Sequence, residues 1–295
     1  GNNNELSNLV DEMKKGQIGA LIIHASNPVY SYVNSKEFTS ALSNVELKVS
    51  TSTCLDETAS LMNYVCPDHH NLESWGDANP SHGKYTLMQP TIRPLFKTRQ
   101  FQDTLMVWCN SSDYQNYLQS YWISKSVDWY KSLHDGYFDI SERELNFMYK
   151  KPKSLSPKNS VKKNSNDLEL VVYETIGLGD GQQANNPWLQ EFPDPITRAC
   201  WDNYLTISPS TAEKLALKNW NVSNGGLNGD VVILKAKDVS IKIPVLIQPG
   251  QAKETVGIAV GYGRQKAGKA GNYVGVNAFP LINTNTVTIT KTDEE

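Results

Sequence analysis

No stretch of the 295 residues approaches the ~18 consecutive apolar residues that a membrane-spanning helix requires. Neither sign of charge is in excess either, since 28 Lys and Arg against 31 Asp and Glu give a formal charge of -3 and a pI near 6.0. A direct membrane span is therefore not expected, and neither is nucleic acid as a partner, because phosphates reward a strongly basic surface. Cysteine is scarce. Cys54, Cys66, Cys109 and Cys200 form no C-x-x-C, which leaves no ligand set at the usual spacing for a structural zinc or an iron–sulfur cluster. The expectation for them is buried free thiols. The chain also lacks the G-x-S-x-G turn of Ser/His/Asp hydrolases, the G-x-G-x-x-G fingerprint and the Walker loop. The opening Gly1-Asn2-Asn3-Asn4 has neither an initiator Met nor the apolar region of a signal peptide, so the sequence reads as an excised fragment.

What is present suffices for packed cores: 39% hydrophobic residues, with 14 Tyr and 7 Trp among them. The length favours two domains. In residues 1–150, helical spacing of Leu6, Leu9, Val10 and Met13 precedes the apolar run Ile18–Ile23, of the kind a parallel strand buried on both faces requires. A helix at Ser35–Leu42, a strand at Val45–Val49 and a helix at Glu57–Met62 continue an alternation that predicts a doubly wound, Rossmann-like α/β domain. Residues 63–98 are dense in turn formers and read as a long irregular segment. Helices then resume at Arg99–Cys109 and from Tyr114 to about His134, with an aromatic face expected to be core. Residues 151–166 carry Lys151, Lys153, Lys158, Lys162 and Lys163 with Pro152 and Pro157, the composition of a solvated linker. From 167 to 295 the pattern changes to short strands, at Leu168–Thr175, Tyr204–Ile207, Val231–Ala236, Ile241–Ile247 and Val256–Val260, which predict a closed barrel. One helix intervenes at Thr211–Leu217, capped by Ser208 or Ser210.

Two groups of residues carry possible chemistry. Asp68, His69, His70, Glu73, Asp77 and His82 are metal-capable, but adjacent histidines on a strand point to opposite faces and no H-E-x-x-H helix is present, so no bound metal is expected. Gly177-Leu178-Gly179-Asp180-Gly181 and Gly261-Tyr262-Gly263-Arg264 could free backbone amides for a phosphate, though runs of this kind are more often plain turns.

Several runs carry a resemblance. Ser26-Asn27-Pro28 after a strand looks like a G-x-N-P loop and Asp56-Glu57-Thr58-Ala59 like a T-E-T-A helix start. Val65-Cys66-Pro67, Glu73-Ser74-Trp75-Gly76 and Asn79 to Gly83 follow in order, then Gly229-Asp230-Val231-Val232 and Pro249-Gly250. Together they resemble the last two domains of molybdopterin oxidoreductases of the dimethyl sulfoxide reductase and formate dehydrogenase type. Longer runs narrow this: Cys66 to Asp77, Gln89-Pro90-Thr91-Ile92-Arg93-Pro94, Asn186-Pro187-Trp188-Leu189-Gln190-Glu191, Pro193-Asp194-Pro195 and Trp201-Asp202-Asn203-Tyr204 are similar to the large iron–sulfur subunit of bacterial alternative complex III, of the Bacteroidetes type.

The resemblance implies a Rossmann-like domain followed by a double-psi β-barrel, in an electron-transfer subunit of a quinol-oxidising respiratory complex. Its partners would be iron–sulfur domains upstream and the other subunits of a membrane complex, held at the periplasmic face of the inner membrane. Two departures from the cofactor-binding members imply a cofactor-free unit. Ser52 stands where they usually carry an acidic residue for a guanine edge, and Ile176 to Gly181 replaces an H-x-T-x-R-type segment. The alternative is a true oxidoreductase in which Asn27, Pro28, Gly179, Gly181, Gly263 and Asn277 line a pocket for a molybdopterin guanine dinucleotide, across a cleft between the Asn27 loop and the barrel turns. Under either reading no residue of this chain is assigned a catalytic role.

Overall fold

The computed structural model describes residues 3–111, 113–141, 148, 167–223 and 225–292. Its first unit holds α1 (Asn3–Lys14), β1 (Ala20–Ile23), α2 (Pro28–Ser31), α3 (Ser35–Leu42), β2 (Leu47–Ser50) and β3 (Tyr64–Val65). The strands are parallel in the order β1-β2-β3. Val10 and Met13 of α1 pack with Phe38, Ala41 and Leu42 of α3 over Ile23 of β1, as the spacing predicts. Pro28 opens α2, where its fixed φ suits a first helical turn and its missing N–H costs nothing. Burial of β1 differs from expectation. Ile23 is buried but Ile22 is exposed, so the strand has one covered face rather than two. The helix expected at Glu57–Met62 shortens to a single 3₁₀ turn, Ala59–Leu61.

A second small core follows. β4 (Gly76–Ser81), β5 (Lys84–Met88), α4 (Phe101–Trp108), α5 (Tyr114–Ser124), α6 (Trp129–Asp135) and β6 (Tyr137–Asp139) place an antiparallel sheet, β4-β5-β6, against two helices. Leu87, Leu118, Trp122, Trp129 and Phe138 are its buried residues. Part of the supposedly irregular segment 63–98 is thus a hairpin. Gly83 makes its turn at φ +74, and a Cβ there would lie 2.9 Å from the Ile140 carbonyl. The single helix expected from Tyr114 to His134 is two. Ser126 takes a left-handed φ of 62 after α5, and the Asp128 side chain caps α6 by accepting from the Lys131 amide. Trp122 and Trp129 are core, whereas Tyr117 and Tyr121 remain exposed.

The third unit holds β7 (Leu168–Glu174), α7 (Pro187–Glu191), β8 (Leu205–Ile207), α8 (Pro209–Lys214), β9 (Asn219–Asn221), β10 (Leu227–Gly229), β11 (Val231–Ala236), β12 (Val239–Ile247), β13 (Thr255–Val260) and β14 (Thr286–Lys291). Six of them close a barrel in the order β11-β12-β8-β13-β7-β14. Its interior is Leu205, Ile207, Val232, Leu234, Ile243, Val256, Ile258 and Leu281. Ser208 is the cap of α8, accepting from the Thr211 amide. The closing strand β14, absent from the sequence reading, is a Thr-rich alternation, TVTITK, with Val287 facing inward. The linker expected at 151–166 lies outside the described residues. All four cysteines are exposed and none is in a disulfide, which corrects the expectation of burial.

Leu205 is fully buried at the centre of the barrel. Leu205→Ala is expected to lower the unfolding free energy by roughly 2–5 kcal/mol, the usual range for emptying such a site. Ile176→Ala, on an exposed side chain, should change it by less than about 0.5 kcal/mol. Denaturant unfolding of both variants checks this.

Candidate functional site

The Asn27 loop leaves the carboxyl end of β1, the end at which open α/β sheets bind ligands. Its polar groups turn inward. Asn27 Oδ1 accepts from the Thr58 amide at 3.1 Å and the Thr58 hydroxyl at 2.6 Å, and Asn27 Nδ2 donates to Glu57 Oε2 at 2.8 Å. Asp56 caps the following turn by accepting from the Ala59 amide, and Ser52, at the position of the expected acid, donates its hydroxyl to Asp56 Oδ2 at 2.8 Å.

On the barrel side, Gly179, Gly181, Gly261 and Gly263 all have positive φ. The reason is backbone lying on backbone. A Cβ on Gly181 would stand 2.6 Å from the Gly261 carbonyl oxygen, and one on Gly263 would stand 2.1 Å from the Asn277 nitrogen. Three of their amides are already used. Gly179 donates to the Thr175 carbonyl, Gly181 to that of Leu178 and Gly263 to that of Val274.

Between these two sides lies an ion pair whose members are 207 residues apart in sequence. Arg264 donates from Nε to both Glu57 oxygens at 3.0 Å, from Nη2 to Oε2 at 2.8 Å and from Nη1 to the Gly181 carbonyl at 2.7 Å. Glu57 Oε1 also accepts from the amides of Gln265 and Lys266 at 2.8 and 2.9 Å. The two side chains are only 6% and 11% exposed, Arg264 being the more buried. Tyr30 completes the contact. Its ring lies 4.9 Å under the guanidinium and edge-on to Phe279, its hydroxyl donates to the Tyr262 carbonyl at 2.6 Å, and its own carbonyl accepts from Asn277 Nδ2 at 3.1 Å.

Burial by itself would raise the Glu57 carboxyl, but hydrogen bonds from Arg264, from the Lys266 amide and from Asn27 outweigh it and hold its pKa down at about 2. Burial pushes the Tyr30 hydroxyl above its ordinary value, so it remains a neutral donor.

The structure therefore gathers Asn27, Pro28, Gly181, Gly263 and Asn277 around one interface, with Gly179 at its margin. Glu57 and Arg264 stand between the two sides, where a cleft is expected. A dinucleotide needs amides for its pyrophosphate and side-chain acceptors or donors for its base. Here the three glycine amides, both asparagine side chains and the arginine are committed to protein partners, so the residues present do not fit the group. Sequence reading missed Tyr30, Glu57 and Arg264 as a unit, since nothing in their local spacing joins them.

The metal-capable segment is also spent on loop architecture. Asp68 Oδ1 accepts from the amides of His69 and Phe101, His69 Nδ1 lies 2.6 Å from the Thr98 hydroxyl, and the buried Glu73 accepts from the amides of His70 and Leu95. Among the described residues no three His, Cys, Asp or Glu side chains are grouped to hold a metal ion.

No family model matches the chain. It is 23% identical over 287 residues to a protein of Nitratidesulfovibrio vulgaris named menaquinone reductase, molybdopterin-binding-like subunit, covering 92% of this chain and 40% of that one. Its fold is shared by acetylene hydratase from Pelobacter acetylenicus, with a TM-score of 0.67 at 15% identity, over 93% of this chain and 42% of the other. The chain thus spans about two fifths of the length of both proteins.

Removing one partner of a buried pair leaves the other charged and unpaired, at a cost of roughly 3–5 kcal/mol. Arg264→Ala is expected to destabilise the protein on that scale. The depressed Glu57 pKa fixes the sign of the pH effect: its stabilisation is present in full above the unfolded value of 4.5 and is lost as pH falls from there towards about 2. Urea midpoints from pH 7 to pH 2.5 should fall less steeply in Glu57→Gln than in the unaltered protein.

Proposed function

We propose that this chain is part of a molybdopterin-oxidoreductase-like electron-transfer subunit of a quinone-linked respiratory complex, and that its α/β and barrel units serve there as a scaffold without a pterin dinucleotide. The observation that carries the scaffold reading is the Glu57–Arg264 pair. It stands between the Asn27 loop and the glycine turns, and it ties the carboxylate of one side to the guanidinium of the other. The likeness to the molybdopterin-binding-like subunit of a menaquinone reductase supports the electron-transfer setting. So do the runs Cys66 to Asp77 and Asn186 to Glu191 that resemble the large subunit of alternative complex III.

On this reading, redox centres lie in other parts of the subunit or in its partners, and this unit holds them in place. The subunit is held at the periplasmic face of the membrane by those partners. Among the described residues no helix is long and apolar enough to cross a membrane.

Calorimetric titration with GDP, standing for the nucleotide end of the dinucleotide, tests the cofactor-free reading. No saturable heat is expected at micromolar nucleotide. Saturable micromolar binding that disappears in Asn27→Ala would overturn it and would favour the pocket of a true molybdopterin oxidoreductase.

A further inference from the structure

Between β5 and α4 the chain runs Gln89-Pro90-Thr91-Ile92-Arg93-Pro94-Leu95-Phe96-Lys97-Thr98-Arg99-Gln100. This loop is tied down at both ends. The amides of Thr91 and Ile92 donate to the Leu72 carbonyl at 2.7 and 3.1 Å, and the Arg99 amide donates to that of Pro67 at 3.1 Å. Within the tip, the Leu95 amide donates to Oε1 of the buried Glu73 at 2.9 Å and the Thr98 amide to the Phe96 carbonyl at 2.8 Å. Two prolines and no glycine restrict the backbone further. The side chains of this fixed loop are nonetheless turned out: Leu95 is 72% exposed, Phe96 78% and Ile92 41%. Arg93, Lys97 and Arg99 are exposed beside them. No acidic residue lies between Gln89 and Gln102, so a chain of net charge -3 carries here a run of one sign around an apolar tip.

Grouped apolar side chains that a fixed backbone holds in water mark a contact surface, and the chemistry around them selects the partner. A stable protein interface spreads over about 800 Å² on each side and is depleted in lysine at its centre. Here the apolar part is a tip a few residues wide, and Lys97 directly follows Phe96. A bilayer surface asks for this combination: a few apolar side chains to enter the headgroup and acyl boundary, and cations to meet anionic headgroups. We propose that the loop from Ile92 to Arg99 is a membrane contact, in which Leu95 and Phe96 enter the interface of an anionic bilayer while Arg93, Lys97 and Arg99 take its phosphates. Little ordering remains to be done on binding, because the backbone is already held. This goes beyond the reading above, in which protein partners hold the subunit at the membrane.

Flotation with vesicles of phosphatidylglycerol and phosphatidylcholine in equal parts tests the chain itself. Binding is expected, and vesicles of phosphatidylcholine alone should take up far less. The double variant Leu95→Ser, Phe96→Ser should lose binding, and because both side chains are exposed it should fold as the unaltered chain does. Lys97→Gln should weaken the partition about five-fold, whereas Trp188→Ser, on a side chain 80% exposed elsewhere, should leave it unchanged. No binding to the anionic vesicles, or equal binding by the double variant, overturns the proposal. A second arm places a photoreactive benzoylphenylalanine at Phe96 of the complete gene product in its native membrane. Phospholipid adducts are expected; links to protein alone, whether to this polypeptide or to another subunit, or no adduct, overturn the proposal. The readings fail separately, since nucleotide titration decides the cofactor question and neither vesicles nor cross-linking bear on it.

Discussion

The described α/β unit and the barrel meet through one buried charge pair, Glu57 with Arg264, and the other contacts between them are arranged around it. Taking a carboxylate and a guanidinium out of water costs several kcal/mol per ion, repaid only where geometry is good and the remaining lone pairs and protons are satisfied. Both conditions hold here. The guanidinium is forked onto the carboxylate and its third nitrogen reaches the Gly181 carbonyl, while the carboxylate takes two further amides and Asn27. Arginine suits this role better than lysine would, because its planar fork serves the carboxylate and a carbonyl at once and its face stacks on Tyr30. A pair so placed fixes how the two units sit, and that is the property a scaffold needs.

The glycine turns acquire a different meaning in this setting. Glycines after a strand suggest a phosphate cradle because amides without side chains can converge on an anion. In this barrel they allow two turns to touch through their backbones, Gly181 on Gly261 and Gly263 on Asn277. Their close approach brings the Gly181 carbonyl within reach of Arg264. The same residue type thus builds the pair's surroundings, and the amides of Gly179, Gly181 and Gly263 are already given to backbone carbonyls.

Much of the fold is legible in the sequence wherever local pattern and tertiary demand agree. The helix Ser35–Leu42 and the strands of the barrel from Leu168 to Val260 lie where their apolar spacing puts them. β14 escapes such reading because threonine alternation is a weak apolar signal, and the β4–β5 hairpin because Pro80 and Gly83 sit among its residues. Burial of β1 on both faces follows from an apolar run only if something covers both faces, which composition alone does not decide. The candidate site was half legible. Asn27 and the glycines stand out by motif, whereas the ion pair that governs them is a contact across 207 residues and has no local signature.

The hold that Glu57 and Arg264 have on the two units is measured by a double-mutant cycle. Glu57→Gln, Arg264→Met and the double variant are compared by equilibrium unfolding at neutral pH. A coupling energy of about 2 kcal/mol or more is predicted, because contacting charged residues in one network lose their interaction once and not twice. Single effects that add to within about 0.5 kcal/mol would show that the pair does not hold the two units together.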